Sequence, residues 1–442
     1  MTRTPVAARP AGTPTGARRG AGVLRGTALY TAAVVGPGIL TLPGLAAQAA
    51  GPASLLVLAA LLVASVPIAH TFVAIERTGA TGGIVGYVTT AFGPLAGRVA
   101  GAWFRYGVPV GIPALGLIGG AYLAQAVGGG RTTTLLVATG ITGIAVVAAI
   151  GRRAGTGAFV PVLTGLVVAL VVVTAALTAP HADTTALTPL APDGWTGVLQ
   201  AALVLTWVLT GWEAAAAFPR TLRDPERTLP RVTALTLVVV ATLYGLVAVP
   251  QILVLGPRAG GTEAPVAAML DLALGSPGVT VAAVVAAAVA TGNATAYAGS
   301  LVETGAAQSG GDPARPAIRA RALAVPALIM AAALTAAATT PVDVAFLVAL
   351  TAGSQVPVYV LGLAAGLRLL ARGTRAWWTA LLATGAVATL LVPAGPHLAA
   401  PAAIGVAVLA AALVRRQRPA HHRTTHHGPA HHRATRTHQE LR

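Results

Sequence analysis

The sequence predicts an all-α integral membrane protein of twelve transmembrane helices. Three observations lead there. Hydrophobic residues make up 55% and charged residues 9% of 442 positions, which is more apolar than a soluble core requires. Glycine-rich apolar runs of about 20 residues, the length that crosses a bilayer, recur along almost the whole chain. The arginines collect in every second polar gap between those runs, as the positive-inside rule asks of loops on one side of a membrane.

Residues 1–23, rich in Pro, Gly, Ala and Arg, read as a disordered cytoplasmic arm. The apolar segment behind them is too long, and lacks a cleavage site, to be a removable signal peptide. Twelve segments follow, at 24–50, 53–75, 95–127, 132–150, 156–179, 196–219, 231–256, 278–303, 322–339, 342–370, 377–393 and 397–414. With both termini inside, the cytoplasmic gaps hold Arg152 and Arg153, then Arg220, Arg223, Arg227 and Arg231, then Arg315, Arg319 and Arg321, and lastly Arg368, Arg372 and Arg375. Only Arg131 and Arg258 fall outside, where Asp183, Asp193, Glu263 and Asp271 also lie. The expected location is the cytoplasmic membrane, with the bilayer as the first partner.

Two of the twelve segments are interrupted. Gly36-Pro37-Gly38 stands in the middle of the first, and Thr210-Gly211-Trp212-Glu213 places glycine and a carboxylate inside the sixth. Backbone left unpaired in hydrocarbon costs several kcal/mol per group, so such breaks must face protein, water or a ligand. Breaks at matching places five segments apart point to inverted repeats with a transport site between them. The repeats are then 24–179 and 196–370, with 377–414 as an appendage. Glycine and proline also recur in membrane helices simply to allow close packing, and matching positions weigh against that simpler account.

Composition removes other classes. Cysteine is absent, so disulfides and thiol-ligated metals are excluded. The charge of +17 rests wholly on 29 arginines, lysine being absent. They sit in short loops rather than on one basic domain, which argues against nucleic acid. No nucleophile–base pair, zinc motif or phosphate loop appears, so neither an enzyme nor a cofactor is expected. The tail 415–442 repeats Pro-Ala-His-His-Arg at 419–423 and 429–433. Clustered histidines can bind Zn, Ni or Cu, but a basic tail lying near anionic lipid is the preferred reading, and no metal site is assigned.

At these residues the chain resembles bacterial amino acid permeases of the amino acid, polyamine and organocation superfamily. Gly36-Pro37-Gly38-Ile39-Leu40 is similar to the small-x-Gly-Ile break of the family's first helix. Thr81-Gly82-Gly83 with Tyr87, then Ala91-Phe92-Gly93-Pro94, resembles its loop into the third helix. Gly211-Trp212-Glu213-Ala214-Ala215, then Asp224-Pro225-Glu226-Arg227 and Pro230-Arg231, is similar to the sixth helix and its exit. Val108-Pro109-Val110-Gly111-Ile112-Pro113-Ala114 and the Gly-Trp-Glu element look most like the methionine and branched-chain amino acid efflux branch. The resemblance covers nearly all of 24–414 and implies a leucine-transporter-type 5+5 inverted repeat with helices 1 and 6 broken, plus two C-terminal helices. It also implies a secondary transporter of a small apolar amino acid. The chain departs from the family after Asn293 and Tyr297, where Leu301, Glu303 and Gln308-Ser309-Gly310 replace an Arg and a basic-acidic-Gly ending, so gating residues are not carried over.

An amino acid presents a carboxylate and an ammonium, and a broken helix can answer both, with free N–H groups at one half-helix end and free carbonyls at the other. Gly36 and Gly38 open the backbone to approach, so the N–H groups around Gly38, Ile39 and Leu40 are expected to hold the carboxylate. Carbonyls near Thr210 and Gly211 are expected to hold the ammonium, the division that the resemblance also implies. Glu213 is a carboxylate at mid-membrane, costing about 2.5–3.5 kcal/mol on insertion scales, and such residues mark ion or proton pathways. The alternative is a structural hydrogen bond from Glu213 to unwound backbone or to Arg105. Arg105 lies ~16 Å into the third segment, where it pairs with Glu213, meets a substrate carboxylate or snorkels to the cytoplasmic face. His70 reads as a packing residue. Sodium-coupled members of the fold use eighth-helix hydroxyls, which Thr291, Thr295 and Ser300 would supply, yet such hydroxyls more often bond their own helix. The fifth segment has no ionisable residue to replace sodium with a fixed ammonium, and protons are favoured over sodium as the coupling ion. A polyamine or organic-cation carrier, which would be expected to need more cavity carboxylates, and a non-transporting sensor are the competing functions.

Overall fold

The structure, a computed structural model, describes residues 20–151, 159–213 and 221–417. Most of the N-terminal arm, Arg152 and Arg153, Arg220, the last six residues of the sixth segment and the His-rich tail lie outside the described residues. Apart from one isolated bridge between Ala21 and Leu222, the regular structure among the described residues is helical. Nine helical stretches there are long and apolar enough to cross a bilayer, ten when one bent pair is counted as a span.

That bent pair is the first segment. Helix α1 (Val23–Val34) and helix α2 (Gly38–Ala50) meet at 46° across Val35-Gly36-Pro37, because Pro37 has no N–H to continue the ladder. Helix α3 (Ala53–Glu76) and the short α4 (Gly83–Phe92) lead to α5 (Pro94–Gly107) and α6 (Gly111–Ala126). The last two form one span through a 3-10 turn at Val108–Val110, where Pro109 cannot donate. Helices α7 (Arg131–Gly151) and α8 (Phe159–Thr178) follow.

Next, α9 (Gly194–Leu205) runs into a 3-10 turn, Thr206–Leu209, and ends there, so the break falls at Thr210 as the sequence suggests. After it come α10 (Pro225–Leu255), α11 (Pro265–Leu274), α12 (Ser276–Ser309), α13 (Pro316–Thr339) and α14 (Val344–Leu369). The chain closes with α15 (Arg375–Ala388), the single turn α16 (Leu391–Ala394) and α17 (Ala399–Gln417).

Helix α6 is buried almost throughout and holds the centre by close backbone approach. An added Cβ at Gly116 would stand 2.9 Å from the Ala138 carbonyl of α7, and one at Gly120 would overlap the Thr134 carbonyl. Gly119, on another face, would bring its Cβ to 3.0 Å from Ala290 of α12. In lipid, where apolar side chains gain little by leaving their solvent, such small-residue contacts are what bind helices together. Arginines tie the ends: Arg131 donates to the carbonyls of Ala337, Thr340 and Val342, and the buried Arg319 donates to those of Ile150, Pro313 and Ala314.

Alanine is a better helix former than glycine by ~1 kcal/mol, yet Gly120→Ala is expected to lower the thermal midpoint in detergent, since overpacking costs about 1–3 kcal/mol. Gly140→Ala on α7, with nothing within 4 Å of its Cβ, should leave the midpoint level or raise it. Equal midpoints for the two variants would contradict the packing described.

Candidate functional site

The two breaks lie against each other. Gly211 has φ 100°, a region that side-chain-bearing residues rarely enter, and a Cβ there would stand 2.6 Å from the Ala33 carbonyl and 2.8 Å from Val34 Cα. Only a glycine lets the sixth segment pass so close to the last turn of α1. The contact is fastened by Tyr30 of α1, whose hydroxyl donates to the Trp212 carbonyl at 2.6 Å while the two rings meet edge to face at 5.7 Å. On the other side of the first break, Gly36 faces α12, with Asn293 Oδ1 3.4 Å from the position of a Cβ.

A cavity of about 270 Å³ opens beside this junction. Its polar groups are Gly211, Glu213, Thr164, Asn293, Tyr297 and Ser300, and its apolar wall includes Ala32, Ala33, Phe104, Leu163 and Val289. Glu213 folds back over the break: its Oε2 accepts the Gly211 N–H at 2.8 Å and the Tyr359 hydroxyl of α14, and the same N–H reaches the Tyr359 oxygen at 3.2 Å. A carboxylate drawn partly out of water needs such donors to be tolerated, and the unwound backbone supplies one of them.

Of the residues expected to hold a carboxylate, Gly36 lies at the junction, whereas Ile39 and Leu40 are fully buried and do not line the cavity. Their N–H groups donate to the carbonyls of Gly36 and Pro37 at 3.3 and 3.1 Å, closing the first turn of α2. Gly38 is covered by Leu42 and Trp207. The Leu40 carbonyl takes Tyr122 at 2.9 Å and Gln251 at 3.3 Å. Thr210 turns its hydroxyl to the Trp207 carbonyl at 2.8 Å, and Gly211 alone of the pair faces the cavity.

Arg105 does not pair with Glu213. Its Nη2 donates to the Ala322 carbonyl of α13 at 2.9 Å, and Gly305 leaves room for the guanidinium against α12, so the arginine bonds backbone within the protein instead of snorkelling. Thr291, Thr295 and Ser300 each donate to their own helix, and His70 is exposed. No cluster of three or more His, Cys, Asp or Glu side chains able to hold a metal occurs among the described residues. The sequence reading missed Tyr359, Tyr30 and Tyr122. Their signal was present as tyrosines inside apolar segments, because a buried phenol needs a hydrogen-bond partner.

An all-helical chain that spans a membrane and sets two helix breaks beside an interior cavity has the architecture of a permease. Residues 22–307 match the amino acid permease family, and the chain belongs to that family. It is similar to the uncharacterized amino acid permease YecA of Bacillus subtilis, 27% identical over 395 residues that cover 87% of this chain and 93% of that protein. It is also similar to the L-methionine/branched-chain amino acid exporter YjeH of Escherichia coli, 32% identical over 235 residues, or 52% of this chain and 55% of the exporter. The uncharacterized transporter Rv1999c of Mycobacterium tuberculosis is 34% identical over 245 residues, 54% of each chain. These two matches therefore span about half of the relatives' length. The protein is a membrane transporter of the amino acid permease class and not an enzyme.

Gly211→Ala is expected to lower the thermal midpoint, because a side chain in a sparsely populated backbone region costs about 1–3 kcal/mol and its Cβ would press on Ala33. It should also abolish the upward midpoint shift given by any of the twenty amino acids that stabilises the parent. A retained shift of equal size would place the ligand away from this junction.

Proposed function

We propose that the chain is a secondary transporter that moves one small apolar amino acid by alternating access, coupled to protons through Glu213. The observation that carries this reading is the junction itself, with two helix breaks in backbone contact and a carboxylate folded across one of them. The cavity of about 270 Å³ is slightly smaller than the usual ligand pocket of roughly 300–1,000 Å³, which fits a small ligand. Its wall of Ala, Val, Leu and Phe suits an aliphatic or thioether side chain better than a charged one. The printed activity of the exporter relative, methionine and branched-chain amino acids, supports the same class. A polyamine would call for several carboxylates, and the cavity offers Glu213.

The proposal includes twelve spans in a five-plus-five repeat with both termini cytoplasmic. Support comes from the arginine asymmetry and from the 40-residue stretch Arg375–Val414, interrupted between α15 and α17 and twice the ~20 residues that one crossing needs. In the binding step the N–H groups around Gly38, Ile39 and Leu40 receive the carboxylate once the first turn of α2 gives up its local bonds, while Thr210 and Gly211 carbonyls receive the ammonium. Arg105 anchors the third segment to the ninth through Ala322 and takes no part in the proton step.

Glu213→Gln keeps shape and hydrogen-bonding capacity but cannot change charge. In proteoliposomes it is expected to exchange labelled methionine across the membrane at equal pH and to lose accumulation driven by a pH gradient. Gradient-driven accumulation equal to that of the parent would remove the proton role from Glu213.

A further inference from the structure

Two carboxylates in this chain are each closed by a tyrosine, and one aromatic ring stands between the two pairs. Glu213 accepts from Tyr359. Glu76, the last residue of α3, accepts from the Tyr87 hydroxyl of α4 at 2.7 Å. The Tyr87 ring stacks on Phe72 at 6.4 Å and 30°, and Phe72 meets the Tyr359 ring edge to face at 5.9 Å and 82°. Phe72 and Tyr87 are fully buried and Tyr359 nearly so.

Glu76 ends this file at a surface. It is half-buried and lines an opening of about 500 Å³ with Arg77, Glu226 and Arg227. The cations there are turned elsewhere: Arg77 donates to the Glu226 carbonyl at 2.5 Å, and Arg227 sits 3.9 Å from Asp224. Among the described residues none lies within ion-pair distance of Glu76. At the inner end Tyr297 shares the cavity with Glu213. Tying α3 to α4 would need no ionisable group, whereas a carboxylate wetted on one side and bonded to a buried phenol on the other can take up and pass on a proton.

We infer that Glu76 and Tyr87 form the port through which Glu213 exchanges its proton with the solution at the α3–α10 end, and that Phe72 is the insulating ring between the two carboxyl–phenol pairs. The inference rests on the proton-coupled reading of Glu213 and on the topology that makes this end cytoplasmic. In the outward step Glu213 loses a proton and becomes a carboxylate while Glu76 gains one and becomes the acid. Each phenol releases its proton on one side as it receives another, so both tyrosines end neutral. Water bridges Tyr87 and Tyr359 when the Phe72 ring moves aside. With the ring in place the file is open-circuited, which prevents protons from crossing apart from the transport cycle.

The test uses the full chain in proteoliposomes with labelled methionine as probe. It compares Glu76→Gln, Glu76→Asp, Tyr87→Phe and Glu213→Gln. Counterflow at equal pH and accumulation driven by a pH gradient are measured for each. Glu76→Gln and Tyr87→Phe should keep counterflow within about twofold and lose gradient-driven accumulation by roughly a hundredfold or more, in the range by which positioned acid–base groups act. Glu76→Asp should restore part of it. Parental accumulation by Glu76→Gln, beside its loss in Glu213→Gln, would overturn the port and leave the role of Glu213 standing. Parental accumulation by Glu213→Gln would overturn the underlying reading instead. Loss of counterflow and accumulation together in both Glu76→Gln and Tyr87→Phe would make the pair structural and also defeat the inference.

Discussion

The backbone contact between Gly211 and the last turn of the first half-helix is the constraint on which the rest of the site depends. A positive φ and a carbonyl 2.6 Å from where a Cβ would stand leave glycine as the residue that fits. Because the two interrupted segments touch there, the polar groups freed by one interruption lie within reach of the other. Hydrocarbon would not tolerate those groups, and here protein encloses them. The cavity, the folded-back carboxylate and the bond from Tyr30 to the Trp212 carbonyl all follow from that approach.

Lipid solvent explains how the approach is maintained. Hydrophobic burial gives membrane helices little reason to associate, so shape and hydrogen bonds must do it. Gly116 and Gly120 of α6 bring α7 to backbone contact, and Gly119 does the same for α12, which carries Asn293 and Tyr297 to the cavity. Longer polar side chains fix the remaining degrees of freedom: Tyr122 and Gln251 both hold the Leu40 carbonyl, and Arg105 holds Ala322. The half-helix α2 is thereby anchored by its own carbonyl while its N-terminal turn is closed by local bonds of 3.1 and 3.3 Å.

What the sequence disclosed were the features that violate the rules of a membrane helix. Gly36-Pro37-Gly38 breaks a ladder, and Gly211 with Glu213 puts glycine and a carboxylate inside an apolar run; each is visible in one dimension. The bend at the first break and the stop of α9 before Thr210 accord with that reading. Partners separated by long stretches of chain were not legible. Nothing local connects Glu213 with Tyr359, 146 residues away, or Leu40 with Gln251, 211 residues away. Arg105 shows the same limit, since a guanidinium can donate to a carboxylate or to a carbonyl, and only the fold decides that Nη2 meets Ala322. The N–H groups of Ile39 and Leu40 were legible as candidates, but their use in closing a turn is a property of the assembled break.

The chain has no cysteine, so one placed at Ala296, which lines the cavity from α12, would be the sole thiol. Measuring how fast a small thiol reagent modifies that position, with and without amino acids, asks whether substrate enters the space between the two breaks. Methionine or leucine at saturating concentration should slow the modification markedly, and glutamate should not. An unchanged rate in the presence of an amino acid that the same protein demonstrably transports would contradict a substrate site at this junction.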